Sequence, residues 1–105
     1  MNFSEVLRHL QNGSLGSRKA WDDNKNHVAR VVFLQIDAHI PGEAVPKMQS
    51  VPNSVKNMVA DKGAHLLHYT NQMAIIDITN KTCFTIEGYS PSVQDTLAGD
   101  WYSIY

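Results

Sequence analysis

The segment 88–104 contains a short helix that must end abruptly before an apolar strand, and this junction strongly constrains the fold. Ser92 is placed to cap the helix, with Asp95 at the third helical position, in the Ser-x-x-Asp pattern of a capping box. Leu97 and Ala98 form the apolar side of the turn. The pattern predicts a helix over 92–98 that leads directly into a terminal strand over 101–105.

The N-terminus carries a second helix signal. Asn2 can act as N-cap, and Glu5 stands at the third helical position. Apolar residues then recur on one helical stripe: Phe3, Val6, Leu7 and Leu10. The spacing predicts an amphipathic helix over 3–11.

The rest of the chain is rich in β-forming residues separated by turn residues. The dense apolar run within Val28–Asp37 is typical of a central strand. Further expected elements are a brief strand or turn over Ser14–Trp21, an irregular loop over Ile40–Pro52, a short helix capped by Asn53 and closed by Gly63, a hairpin or two successive strands at His65–Thr70 and Met73–Thr79, and a returning strand at Thr82–Glu87. The sum predicts an α+β fold: a small antiparallel β-sheet with an N-terminal helix and a short C-terminal helix.

Length and composition limit the classes of function. The 105 residues predict a single domain over 1–105, with 38–64 as an extended loop and short helix insertion, and oligomerisation would supplement its small core. Nine Lys and Arg against ten Asp and Glu give a net charge of −1, which disfavours a nucleic-acid duplex as partner. The single Cys83 permits no internal disulfide. No signal peptide or membrane-spanning run is recognised, so a soluble protein of a reducing cytosol is expected.

Neither a metal site nor a catalytic motif is predicted. His65 and His68 are separated by three positions, which in a strand places them on opposite faces, and the other histidines have no companion at ligand spacing. No nucleophile elbow, phosphate loop or dinucleotide fingerprint is present. The scattered carboxylates are better explained as caps, strand-edge charges and hydrogen-bond partners. We therefore expect no enzyme, no metal and no cofactor.

Two aromatic residues stand beside features that suit an anionic ligand. Trp21 follows Arg18 and precedes a polar turn, so it either folds back on the core or offers a stacking surface for a nucleobase, with Arg18 nearby for phosphate. Tyr89 precedes the helix whose first turn holds Ser92 and Asp95, and a helix N-terminus presents free amides to an anion. Capping alone would also explain Ser92 and Asp95.

The two ends of the chain together resemble a family of small phage proteins. In that family an Asn-Phe-x-x-Ala-Leu helix ends at a turn followed by a basic residue and a Trp, and this chain begins Met1-Asn-Phe with Arg18 and Trp21 downstream. The family's closing pattern, Trp-x-x-Ser-x-x-Asp-x-x-Ala-x-Asp-Trp, is matched from Tyr89 to Trp101, with Tyr in place of the first Trp. The chain is therefore similar to the second Thoeris anti-defence family.

The resemblance implies a non-catalytic sponge. Such a protein would bind a small cyclic nucleotide signal (glycocyclic ADP-ribose of Thoeris, or a cyclic dinucleotide) in the host bacterial cytoplasm and would assemble as a homotetramer with pockets between protomers. By the same resemblance Trp21 would stack on a base, Tyr89 would supply a second aromatic, and Arg18, Ser92 and Asp95 would be further ligand-binding candidates. Two alternatives stay open: an inhibitor that binds a host defence protein directly, and an enzyme that degrades the signal.

Overall fold

The computed structural model describes residues 1–25 and 27–104. The chain divides into two compact units, one formed by Met1–Gln35 with the chain from Gln72 onward, and the other by Ile36–Asn71. In chain order the elements are α1 (Phe3–Gln11), β1 (Leu15–Arg18), a 3₁₀ helix (Lys19–Trp21), β2 (Arg30–Leu34), β3 (Ala38–Pro41), a 3₁₀ helix (Gly42–Lys47), α2 (Asn53–Lys62), β4 (Leu66–Tyr69), β5 (Met73–Asp77), β6 (Thr85–Gly88), α3 (Val93–Leu97) and β7 (Trp101–Ile104). The predicted α+β class, an antiparallel sheet with an N-terminal helix and a short C-terminal helix, is confirmed.

The first unit is built on a five-stranded sheet with the strand order β6-β5-β2-β1-β7. All neighbouring strands pair antiparallel. β2 lies in the middle of the sheet, as the apolar run at 28–37 predicts, although the strand itself is shorter. β6 is the returning strand expected over Thr82–Glu87, although it begins only at Thr85, and it pairs with β5 so that Ile76 lies opposite Ile86.

Helix α1 supplies the main apolar layer of this unit. Asn2 and Glu5 form the predicted capping box, in which each side chain accepts a hydrogen bond from the other residue's backbone N–H. Val6 and Leu10 are buried in one cluster with Val32 and Trp101. A Cβ on Gly16 would lie 3.0 Å from Val6 Cγ2 and 3.2 Å from Leu10 Cδ2, so glycine on β1 lets the helix approach the sheet closely.

The C-terminal helix α3 has the predicted N-cap at Ser92, but its apolar residue Leu97 lies in solvent. The Ser92 hydroxyl accepts a hydrogen bond from the Asp95 N–H, which is the expected N-cap. Ala98 packs against the core cluster, but Leu97 is 80% exposed, together with Val93 at 76%, one turn earlier. The expectation that Leu97 faces the core was wrong, because a helix of five residues turns only one side inward and that side is occupied by Asp95 and its partners.

The second unit is a two-stranded sheet of β3 and β4 with a 3₁₀ helix and α2. Val45 and Val59 are its buried residues. The loop expected over 40–52 instead begins within β3 and continues as the 3₁₀ helix. Pro41 is compatible with β3 because both strands of a two-stranded sheet are edges and its missing N–H breaks no ladder bond there.

Helix α2 begins one residue earlier than predicted and ends at the predicted glycine. Asn53 does not cap α2 but is its first residue, and Pro52 holds the N-cap position without a side-chain hydrogen bond. Gly63 closes the helix with a φ of +66°, as predicted, in the left-handed conformation that glycine adopts without strain.

The segments at 65–70 and 73–79 are two successive strands in different sheets and not a hairpin. None of the helices in the described ranges is long and apolar enough to cross a bilayer.

Truncation of Leu10 tests the core assignment. Leu10→Ala should lower the free energy of unfolding by about 2–5 kcal/mol, because it leaves a cavity between α1 and the sheet. Leu97→Ala is the matched control and should change it by less than about 0.5 kcal/mol, since that side chain is already in solvent. Urea unfolding followed by circular dichroism measures both, and equal losses would contradict the assignment.

Candidate functional site

Trp21 lies on the core cluster, and part of its side chain remains exposed. Its ring contacts Trp101 edge-to-face, with centroids 5.1 Å apart and planes at 80°. Tyr89 contacts the same ring edge-to-face at 6.0 Å. The exposure of Trp21 is intermediate, whereas Trp101 is fully buried. Trp21 therefore folds back on the core, as one of its two interpretations predicts, without being enclosed by it.

Arg18 is held by two carboxylates. Its Nη1 lies 2.8 Å from Asp95 Oδ1, and its Nε lies 2.8 Å from Asp100 Oδ1. The Arg18 and Asp95 side chains are only 12% and 16% exposed, so this ion pair is largely shielded from solvent, whereas Asp100 is 31% exposed and its pair with Arg18 is shielded less. Charge-assisted hydrogen bonds of this length are stronger than neutral ones. The strand end of β1 is thereby tied to the segment that contains α3 and the residue before β7.

Asp95 is the centre of this network. Its Oδ2 accepts a hydrogen bond from the Tyr89 hydroxyl at 2.7 Å, and its backbone carbonyl accepts one from Trp101 Nε1 at 2.8 Å. The backbone N–H of Asp95 donates a hydrogen bond to the Ser92 hydroxyl oxygen. Four of the five residues expected from the sequence to bind ligand (Arg18, Tyr89, Ser92 and Asp95) are thus brought together through Asp95, and Trp21 contacts Tyr89.

The network shifts the pKa values of its members. Burial raises the pKa of Asp95, but the hydrogen bonds from Tyr89 and Arg18 lower it more, so its net pKa is below the ordinary value. The hydrogen bond from Arg18 lowers the pKa of Asp100 against an opposing effect of burial, and the Ala20 N–H lowers it further. Burial, followed by donation to the Asp95 carboxylate, raises the pKa of Tyr89 far above its ordinary value. The tyrosine therefore stays protonated and both carboxylates stay ionised at neutral pH.

A groove lies beside Trp21 on the sheet face that α1 also uses. It measures about 330 Å³ and is lined by Arg30, Ile75, Asp77, Thr85 and Glu87. Strand pairing explains the set, because Arg30 is opposite Asp77, Asp77 is opposite Thr85, and Ile75 is opposite Glu87, and directly opposed residues share a face. Cζ of Arg30 lies 5.1 Å from the Trp21 ring centroid, within cation–π range.

Arg30 was not identified as a site residue from the sequence. The available signal was a charged residue at the start of an apolar strand, two positions before Val32 and so on its face. Within the described part of the chain Arg30 forms no ion pair within 4.0 Å, whereas Arg18 forms two. Arg30 is thus the better placed of the two cations for an anionic group above Trp21.

The carboxylates of this unit act as hydrogen-bond acceptors. Asp77 Oδ1 accepts from the N–H and the hydroxyl of Thr79, and these bonds lower its pKa. Asp95 and Asp100 are committed to Arg18. In residues 1–25 and 27–104, no three His, Cys, Asp or Glu side chains are grouped so that they could hold a metal ion.

The second unit contains one histidine pair that sequence spacing does not show. Strand pairing places His39 directly opposite His68. Their rings are stacked with centroids 4.2 Å apart, and His68 Nε2 lies 3.4 Å from Asp37 Oδ2. All three side chains are exposed.

Comparison with known protein families identifies a match over nearly the whole chain. A family model described as Tad2-like, the Thoeris anti-defense 2-like domain, matches residues 1–104. No curated protein matches the chain significantly. The family resemblance seen in the two end motifs is therefore confirmed over almost the whole chain.

Acid titration tests the network around Arg18. The folded-state pKa values of Asp95 and Asp100 are lowered, so their contribution to stability is fully present above the ordinary carboxyl pKa of about 3.9 and is lost as pH falls through the lowered values. Asp100→Asn should reduce stability at neutral pH and flatten its decline between about pH 4 and pH 2. Thermal unfolding across this range measures both effects, and parallel profiles for variant and wild type would contradict the ion pairing.

Proposed function

The chain belongs to the Thoeris anti-defense 2-like family and so has an anti-defence role, and we propose that it acts as a sponge for a cyclic nucleotide immune signal. The signal is glycocyclic ADP-ribose or a cyclic dinucleotide. It is bound and not cleaved, so the host effector is never activated. The observation that carries the proposal is the partly exposed Trp21 with Arg30 over its ring, at the edge of the groove.

Trp21 provides the stacking surface in this proposal. A nucleobase on an aromatic ring gains about 1–3 kcal/mol. The edge-to-face contacts with Trp101 and Tyr89 fix the ring before a ligand arrives. A side chain that is already ordered loses little conformational entropy on binding, which favours affinity.

Arg30 provides the cation for the phosphates of the ligand. Its side chain is exposed on the groove, and a guanidinium can bind two phosphate oxygens at once. Asp77 and Glu87, on the same groove, can accept hydrogen bonds from ribose hydroxyls. A groove with one cation and two carboxylates suits a ligand that carries both phosphate and sugar.

Arg18, Tyr89, Ser92 and Asp95 act mainly by positioning Trp21. One ion pair of Arg18 holds Asp95 and the other holds Asp100, and the Asp95 carboxylate in turn accepts a hydrogen bond from the Tyr89 hydroxyl. The guanidinium of Arg18 keeps further N–H groups beyond these two bonds, so a direct contact with the ligand remains part of the proposal. The protein acts in the host bacterial cytoplasm as a homotetramer.

Binding without turnover is expected because Asp77, the groove carboxylate opposite Arg30, is poorly suited to act as a general acid. Asp77 already accepts two hydrogen bonds from Thr79. The lowered pKa of Asp77 keeps it ionised, and a carboxylate without a raised pKa is a poor general acid at neutral pH.

Calorimetric titration followed by heat release tests the proposal. The protein is titrated with glycocyclic ADP-ribose isomers, ADP-ribose and cyclic dinucleotides, and the bound fraction is then denatured and analysed by mass. Tight binding with release of unaltered nucleotide is expected. An altered nucleotide would make the protein an enzyme, and no heat with any nucleotide would favour direct binding to a host defence protein.

Trp21→Leu tests the stacking surface while keeping an apolar side chain on the core. Nucleotide affinity should fall by roughly 5- to 150-fold, the equivalent of about 1–3 kcal/mol, with the far-UV spectrum unchanged. Phe33→Leu is the matched control, since Phe33 is a partly buried aromatic on the opposite face of β2, and it should leave the affinity unchanged. Equal affinities of Trp21→Leu and wild type would exclude stacking on Trp21.

A further inference from the structure

The five-stranded sheet has two edge strands, β6 and β7. An exposed edge presents unpaired N–H and C=O groups that can pair with another strand. Natural proteins usually protect such edges. The two edges of this sheet differ in whether their outward backbone groups are hydrogen-bonded.

The β7 edge is covered by the N-terminus. The Trp101 N–H donates to the Met1 carbonyl at 3.1 Å, and the Met1 ammonium donates to the Trp101 carbonyl at 2.7 Å. Met1 thus occupies outward backbone groups of β7.

The β6 edge is open and apolar. All four residues of β6 are exposed. Phe84, just before the strand, is 55% exposed, and Ile86 within it is 61% exposed. Two large apolar side chains therefore stand in solvent beside an unpaired edge.

The hydrogen-bond phase of β6 identifies which backbone groups are free. The Tyr89 N–H donates to the Met73 carbonyl, and in antiparallel pairs the inward-bonding residues alternate. Thr85, Glu87 and Tyr89 therefore face β5, and Phe84, Ile86 and Gly88 direct their N–H and C=O groups outward. In the described part of the chain these three residues form no backbone–backbone hydrogen bond outside the β5 pairing, although the Phe84 carbonyl accepts a weak bond from the Cys83 thiol at 3.9 Å.

We propose that β6 pairs antiparallel with β6 of a second copy of this chain, around a two-fold axis at Ile86. Ile86 lies opposite Ile86 of the partner, and Phe84 lies opposite Gly88 of the partner in both directions. Each of these three pairs exchanges two backbone bonds, giving about six in all. The proposal names the interface of the homo-oligomer and rests on the proposed function in that respect.

The register is favoured over its neighbours. A two-fold axis at Thr85 or at Glu87 brings fewer outward groups into pairs, about four bonds instead of six. An axis at Glu87 would also place two carboxylates directly opposite each other, which is destabilising. With the axis at Ile86, Glu87 faces Thr85 of the partner, whose hydroxyl can donate to it.

Side-chain volumes fit the same register. Phe84 and Ile86 lie on the sheet face opposite the groove, because successive side chains alternate. Phe84 lies over Gly88 of the partner, where an aromatic ring covers the backbone left bare by glycine. Ile86 contacts Ile86 of the partner at the axis.

The pairing also extends the groove. Thr85 and Glu87 line it on the edge strand, so Thr85 and Glu87 of the partner would continue its lining across the axis. A ligand that spans the edge would then contact both copies. This gives the interface a direct role in ligand binding.

Sedimentation equilibrium of Ile86→Pro tests the interface. Proline removes an N–H that the isolated chain does not use and is tolerated at an outward edge position, so the fold should persist by far-UV circular dichroism. The molar mass should fall to half that of the wild type. Leu97→Ser, which removes an exposed apolar side chain elsewhere, is the control and should keep the wild-type mass.

A charge pair tests the register independently of the proline. Ile86→Lys and Ile86→Glu should each give the halved mass because like charges would meet at the axis. An equimolar mixture of the two should recover the full mass. Wild-type protein that is monomeric, an unchanged mass in all three variants, or no recovery on mixing overturns the proposal. Nucleotide binding is measured in the same samples, so that intact binding with an unchanged mass would reject the interface and leave the sponge function standing.

Discussion

The ion pairs of Arg18 with Asp95 and Asp100 are the interaction on which the candidate site depends. Asp95 follows Arg18 by 77 positions in the chain and Asp100 follows it by 82. The two ion pairs therefore fix α3 and the start of β7 against the end of β1. Because Asp95 also binds Tyr89 and Trp101, one carboxylate sets the position of two aromatic rings. A shielded ion pair of this kind is costly to break, since loss of one partner leaves an uncompensated charge. The geometry around Trp21 is therefore rigid before any ligand is present.

This arrangement separates two tasks that a binding site must perform. Arg18 is paired with two carboxylates and ties β1 to the segment around α3, while Arg30 lies on the groove beside Trp21. The Trp21 ring contacts Trp101 and Tyr89 edge-to-face and remains partly exposed. An aromatic ring held in place beside a guanidinium that is unpaired within the described residues suits the proposed binding of a nucleotide without turnover.

The sequence predicted the elements with strong local signals and missed those set by long-range pairing. The capping box at Asn2, the cap at Ser92 and the left-handed Gly63 follow from local hydrogen bonding and backbone sterics. The outward position of Leu97, the strand at Ala38–Pro41 and the pairing of His39 with His68 depend on contacts that no short window contains. The same holds for the candidate site: Trp21 and Tyr89 are proposed from motif positions, whereas the groove around Arg30 requires the register of β2, β5 and β6.

The most direct test of the central claim is the NMR signal of the two indole N–H groups, since the chain contains two tryptophans. Trp101 Nε1 is hydrogen-bonded to the Asp95 carbonyl and buried, and so serves as an internal reference. On titration with glycocyclic ADP-ribose or a cyclic dinucleotide, the Trp21 signal, assigned with Trp21→Phe, should shift to saturation while Trp101 moves far less. Saturating nucleotide that leaves the Trp21 signal in place would contradict stacking on this ring and with it the proposed site.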